Sequence, residues 1–307
     1  MGLLSSLFGG EKSEKKQTEQ QEKKNFEILK YDGIRARNMG KTTYATKCFE
    51  EAVALNKEPE TLGLLANIYL QTGRLEDALM TFNQLTEVAP ENVNAWLATA
   101  NVCYMLEDYT AMNQACQQAI QIDPENATAY LLSARAERGM KSDLQAIVML
   151  TKSIMKDETS VEAYLLRAET LWDMRQIKDA TEDVEKVLQL DAENEEALLL
   201  KGKIEAAKGN AEEALSYFEQ VETLNPFHEK AYLLKGELLI ETQAFDKAIE
   251  NYTNALELIP DHPRFYQERG RARLLTEDKE GAAADMKRAI ELAPENENKI
   301  TGEFKNQ

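Results

Sequence analysis

The sequence predicts an all-α fold built from stacked helix pairs, and three observations carry that reading. The 307 residues hold only 7 Pro and 14 Gly, and long stretches are rich in Ala, Leu, Glu, Lys and Gln, the strong helix formers. Alanine recurs about every 34 positions, at Ala45, Ala78, Ala146, Ala180, Ala214, Ala248 and Ala282, with Met112 replacing it in the third unit. The same punctuation recurs at that spacing, as in PENVNAW (90–96) and PENATAY (124–130).

Each column of the repeat has a physical reading. Twelve positions before the Ala column stand Gly33, Ala66, Ala100, Ala134, Ala168, Gly202, Gly236 and Gly270. Four positions earlier stand large residues: Leu29, Leu62, Trp96, Tyr130, Tyr164, Leu198, Tyr232 and Tyr266. Residues four apart share a helix face, so small residues let two helices approach while large ones fill the flanks. Pro90, Pro124, Pro226, Pro260 and Pro294 stop second helices, because proline biases its predecessor away from the α region. Asn92, Asn126, Ser160 and Asn194 are placed to cap the helices that follow. Pro59 and Pro263 fit the first helical position, where a missing N–H costs nothing.

The unit is helix, short turn, helix, break, and one pair cannot bury its own apolar face without neighbours. These columns resemble the tetratricopeptide repeat family. Eight units follow at about 26–58, 59–92, 93–126, 127–160, 161–194, 195–228, 229–262 and 263–294. The resemblance implies a right-handed α-solenoid whose first helices line a concave face that holds peptides or partner helices. Lys57, Glu158 and Ala192 stand where the family favours proline. Residues 1–25 are expected to be a flexible lead. Within it, residues 11–24 hold almost nothing apolar and read as a linker or a frayed helical lead-in. Residues 295–307 form a polar tail, too short for an extra capping helix, which makes self-association through the array ends an expectation.

Formal net charge is −18, which disfavours a nucleic-acid binder, since that needs a basic face. Cys48, Cys103 and Cys116 match no metal motif, and Cys103 and Cys116 read as small core fillers. His228 and His262 fall at equivalent inter-repeat turns and read as solvent-exposed. No nucleophile cluster, metal set or phosphate loop stands out, so the expectation is a non-catalytic protein without a cofactor. No run reaches the roughly 20 apolar residues of a membrane span, and a cytoplasmic location follows.

Function is then expected on the inward rows. One residue past the small column come Ile34, Asn67, Asn101, Arg135, Glu169, Lys203, Glu237 and Arg271. From Arg135 on, the signs alternate, which predicts a ladder of mutual ion pairs. Asn67 and Asn101 stand outside that alternation, and amides both donate and accept, which suits the backbone of an extended peptide. Three residues further along, Tyr104, Arg138 and Trp172 are neighbours in a second row, and aromatics and Arg are enriched at binding hot spots. Asn67, Asn101, Tyr104, Arg135, Arg138 and Trp172 are therefore the candidate groove. The alternative reading is a peripheral membrane adaptor using Leu3, Leu4, Leu7 and Phe8, a short apolar patch at helical spacing.

Overall fold

A computed structural model describes the backbone of residues 4–296 and the side chains of 17–295. Sixteen α-helices follow one another in pairs there. They are α1 (Leu4–Asn38) with α2 (Thr42–Leu55), α3 (Pro59–Gln71) with α4 (Leu75–Val88), α5 (Val93–Met105) with α6 (Tyr109–Ile122), and α7 (Ala127–Gly139) with α8 (Asp143–Lys156). The series continues with α9 (Val161–Asp173) and α10 (Ile177–Leu190), α11 (Glu195–Ala207) and α12 (Ala211–Leu224), α13 (Glu229–Glu241) and α14 (Phe245–Leu258), and α15 (Pro263–Leu275) and α16 (Lys279–Leu292). The pairs group into two compact units, residues 1–158 and 159–307. Within each, the second helix of a pair packs on the first helix of the next.

The columns behave as their sizes demand. All eight members of the Ala column and all eight of the Gly/Ala column are buried. At three of the glycines a steric reason is visible in the partner helix, although Ala66 stands opposite Phe82 at the equivalent position. A Cβ on Gly33, Gly202 or Gly236 would lie 2.6, 2.5 or 2.2 Å from the ring of Phe49, Phe218 or Tyr252. Where the facing residue is Cys116, Leu150 or Val184, alanine stands instead, as Ala100, Ala134 and Ala168. In the third pair Met112 replaces alanine, and it is fully buried beside the small Cys103 and Cys116. Volume is thus exchanged between neighbouring columns at nearly constant packing.

Helices stop in register whether or not proline follows. α2, α8 and α10 end at Leu55, Lys156 and Leu190, two residues before Lys57, Glu158 and Ala192, as the proline-ended helices do. The turn inside each pair is a further column. Gly40, Gly73, Glu107, Lys141, Arg175, Gly209, Gln243 and Glu277 all have positive φ. In the third pair Asp108 N–H bonds Cys103 C=O at 2.9 Å, five residues back across that left-handed residue, the Schellman closure of a helix end.

One expectation is narrowed and one is corrected. Residues 11–24 are helical in backbone and continue α1, which begins at Leu4, so of the two readings of that stretch, linker or helical lead-in, the structure has the helix. Glu, Lys and Gln sustain a helix without burying it, and residues 17–25 are all exposed. His228 and His262 are N-caps, each accepting through Nδ1 from the backbone N–H of Ala231 or Phe265 at 3.3 Å. Their Nε2 atoms face Glu195 at 3.6 Å and Glu229 at 3.1 Å, and their side chains are largely covered. Asn92, Asn126, Ser160 and Asn194 cap α5, α7, α9 and α11 as expected.

Candidate functional site

Of the candidate groove residues, five lie on three successive first helices of the first unit. The small residues Ala66, Ala100 and Ala134 face the second helices and are buried, and one step further around α3, α5 and α7 come Asn67, Asn101 and Arg135. Asn67 and Asn101 are exposed and Arg135 is half-buried. Asn67 donates from Nδ2 to Gly63 C=O in its own helix at 2.8 Å, which leaves its amide oxygen to accept. Tyr104, one turn beyond Asn101, is 45% exposed. Its ring meets Tyr109 edge-on at 6.3 Å between centroids and carries the Arg135 guanidinium at 5.9 Å. Tyr104 is therefore a surface aromatic held in place by a second ring and a cation, and Arg138 stands half-buried on the same helix as Arg135.

Trp172 belongs to the second unit. Its indole is partly exposed, and the Lys203 ammonium lies 5.0 Å from the ring centroid. Burial and the neighbouring charge of Lys230 push the Lys203 ammonium down, against the pull of Asp173 and Glu169. The expected ladder takes a different course at its end: Arg271 bonds Glu268 of its own helix at 3.4 Å, one turn away.

Lys30 stands one residue after the large column, on α1. It is buried, bonded to Glu58 at 2.7 Å and to Glu60. Bonds from Lys30 and Thr61 hold the Glu58 carboxyl below its ordinary range, although burial opposes this. Lys30 therefore clamps α1 to the start of α3.

A further column supplies mostly half-buried cations to the joints of the second unit. One residue before the small column the second unit has Arg167, Lys201, Lys235 and Arg269. Arg167 grips Asp183 with two bonds of 2.7 Å. Arg269 grips Asp285 with bonds of 3.0 and 2.7 Å, and Arg273 adds a third at 2.8 Å. Lys201 reaches Glu185 and Glu205, and Lys235 reaches Glu219 and Glu222. The signal was four cations at one spacing. These side chains are occupied with one another and hold helices together.

The three thiols are buried. Burial pushes Cys116 up to about 12 and raises Cys103 as well, so neither is a ready nucleophile. Among the described residues no group of three or more His, Cys, Asp or Glu is placed to hold a metal ion, and no helix is long and apolar enough to cross a membrane. Leu3 lies outside the described residues, as do the side chains of Leu4, Leu7 and Phe8.

Models described as tetratricopeptide repeat match residues 64–127 and 165–229, 205–267, and 263–296. The chain belongs to the tetratricopeptide repeat family. No curated protein matches this tetratricopeptide chain. It is similar to the MamA protein at 26% identity and a TM-score of 0.50, over 60% of this chain and 99% of that one. It is also similar to PilF of Pseudomonas aeruginosa at 18% identity and a TM-score of 0.56, over 70% and 99%. A chain of the APC/C hetero-tetramer Cut9–Hcn1 aligns at 14% identity and a TM-score of 0.57, over 90% and 54%. The last two likenesses concern the fold alone.

Proposed function

We propose that this tetratricopeptide protein is a protein-interaction scaffold whose first unit binds an extended peptide or a partner helix. The inner face of α3, α5 and α7 is the binding surface. The observation that carries the reading is Tyr104: a large aromatic, 45% exposed, set between exposed Asn101 and the Arg135 guanidinium. Tyr31, Tyr44 and Phe227 are more exposed, but Tyr104 has an exposed amide and an arginine beside it on the same face. The amides of Asn67 and Asn101 are suited to a peptide backbone, and Tyr104 and the arginines to its side chains.

The test is a triple variant, Asn101→Ala, Tyr104→Ala and Arg138→Ala, in the full chain. Partner capture from the native cell is expected to fall at least tenfold with helicity and melting temperature nearly unchanged. Equal capture at equal fold would remove the site. A peripheral membrane role through residues 1–10 is a separate reading, supported by the apolar pattern of that stretch. Deleting residues 2–10 and fractionating the cell checks it, and an unchanged distribution would end it.

A further inference from the structure

The joints inside each unit are marked by one pair of columns. A residue five positions past the Ala column, on a second helix, faces the residue sixteen positions on, one before the small column of the next first helix. Gln117 donates to Ser133 at 3.4 Å, and Lys201 reaches Glu185 at 2.6 Å. Lys235 reaches Glu219 at 3.3 Å, and Arg269 donates to Thr253 at 3.2 Å. Glu222, three residues beyond Glu219, meets the same Lys235 at 2.8 Å. These columns therefore lie on the faces that a second helix and the next first helix turn to each other.

Among the described residues no pair precedes α1 or follows α16, so one face of each kind is left, and both carry an exceptional charge. Asp32 on α1 is the only acid in its column, where Leu65, Thr99, Ser133, Lys201, Lys235 and Arg269 stand elsewhere. Lys287 on α16 is the only cation in the facing column, where Glu50, Asn83, Gln117, Glu185, Glu219 and Thr253 stand elsewhere. The Lys287 side chain is 79% exposed and meets Glu291 of its own helix at 3.9 Å. Asp32 accepts from the exposed Arg35, also of its own helix. Such a bond leaves a joint contact open: Lys201 holds Glu205 of its own helix and Glu185 across the joint together.

The α1 face is also apolar where a terminal repeat is ordinarily polar. Five positions before the small column, Thr61, Ala95, Ala129, Ala197, Ala231 and Phe265 are at most 2% exposed, whereas Ile28 is 49% exposed. Tyr31, one turn further on, is 57% exposed. On α16, Ile290 is half-buried at the position that Glu222 holds in its own repeat.

We infer that the α16 face of one copy of this chain packs on the α1 face of a second copy, head to tail, remaking between chains the joint that each unit makes within itself. Lys287 then meets Asp32 of the second copy, and Ile28 and Tyr31 are covered. The polarity is the reverse of the Glu185–Lys201 and Glu219–Lys235 joints, so each end complements the other end and neither of those pairs. The contact is heterologous, because it joins two different faces and leaves one of each free. Association therefore continues past a dimer unless a ring closes. It is separate from the inner face of the proposed peptide site and does not depend on it.

Sedimentation velocity of the full chain, from micromolar to submillimolar concentration, is the test. The average mass is expected to climb with concentration. Asp32→Lys and Lys287→Asp, each alone, bring like charges together at the contact and should weaken association roughly tenfold, with helicity and melting temperature held. Mixed in equal amounts, the two variants should associate better than either does alone. The native Lys287 of one then meets the native Asp32 of the other, and the two exchanged positions meet likewise. A full chain that stays monomeric throughout overturns the proposal. Single variants that associate as the native chain does, or a loss that mixing fails to relieve, overturn it as well.

Discussion

The first and second units hold the same helix pair together with different chemistry. One residue before the small column, the first unit places Asp32, Leu65, Thr99 and Ser133, and the second places Arg167, Lys201, Lys235 and Arg269. Thr99 returns its hydroxyl to Ala95 C=O at 2.9 Å, and Ser133 donates to Asn113 at 2.7 Å. Arg269 instead shares the buried Asp285 with Arg273. Apolar and hydroxyl joints leave little behind when altered, whereas buried ion pairs fix partners and penalise any single loss. The exposed aromatic and amides proposed as a binding surface belong to the first unit, where this column holds Leu65, Thr99 and Ser133 on α3, α5 and α7.

The largest expected effect breaks a charged joint. Asp285→Ala leaves Arg269 without its carboxylate and Arg273 with only Asp278 at 3.6 Å, and should cost about 3–5 kcal/mol in denaturant melts, while Ser133→Ala in the first unit should cost only about 1 kcal/mol. Replacing Arg167 and Asp183 together by Leu should be neutral or stabilising. Equal losses for Asp285→Ala and Ser133→Ala would erase the contrast between units. Next comes steric fit. Gly236→Ala drives a methyl into Tyr252 and should cost about 1–3 kcal/mol despite alanine's better helix propensity. The clash is with the Tyr252 ring, so the loss should shrink when Tyr252→Phe removes the hydroxyl that lies 2.3 Å from the added Cβ. A smaller gain is expected at the turns: Lys141→Gly or Gln243→Gly should stabilise by about 0.5–1 kcal/mol, since both residues hold positive φ.

The pH dependence is a finer probe of the second unit. Burial pushes the Glu205 carboxyl up, but bonds from Asn210 and Lys208 and the charge of Lys201 outweigh it and leave the group below its ordinary range. A depressed carboxyl binds its proton less readily folded than unfolded. Its stabilisation is therefore present above the unfolded value near 4.3 and is lost as pH falls below it. Glu205→Gln should lower the melting temperature at pH 7 and change it little at pH 3. The same loss at both values would show that Glu205 acts by packing alone.

Much of this architecture was legible because packing imposes period on sequence. The small columns, the asparagine caps and the helix stops are local demands that recur every 34 residues. His228 and His262 were misread although each continues the column of Asn126 and Asn194, because an imidazole as cap acceptor depends on its tautomer, which composition does not reveal. The left-handed turn column was hidden because five of its eight members are not glycine. The burial of Lys30 was hidden too, since its partners Glu58 and Glu60 stand 28 and 30 residues away, at the start of α3. For the proposed binding surface, the columns set Tyr104 on the inward row and Tyr130 in the core column, but the 45% exposure of Tyr104 is read only from the structure.

The central claim, that binding resides on the inner face of the first unit, is tested most directly by a matched pair of triple variants. One carries Asn101→Ala, Tyr104→Ala and Arg138→Ala. The other carries Glu169→Ala, Glu237→Ala and Arg271→Ala, from the inward row of the second unit. With both folded, the first should lose at least tenfold of the captured partner and the second less than twofold. Equal loss in both, or loss only in the second, would contradict the account.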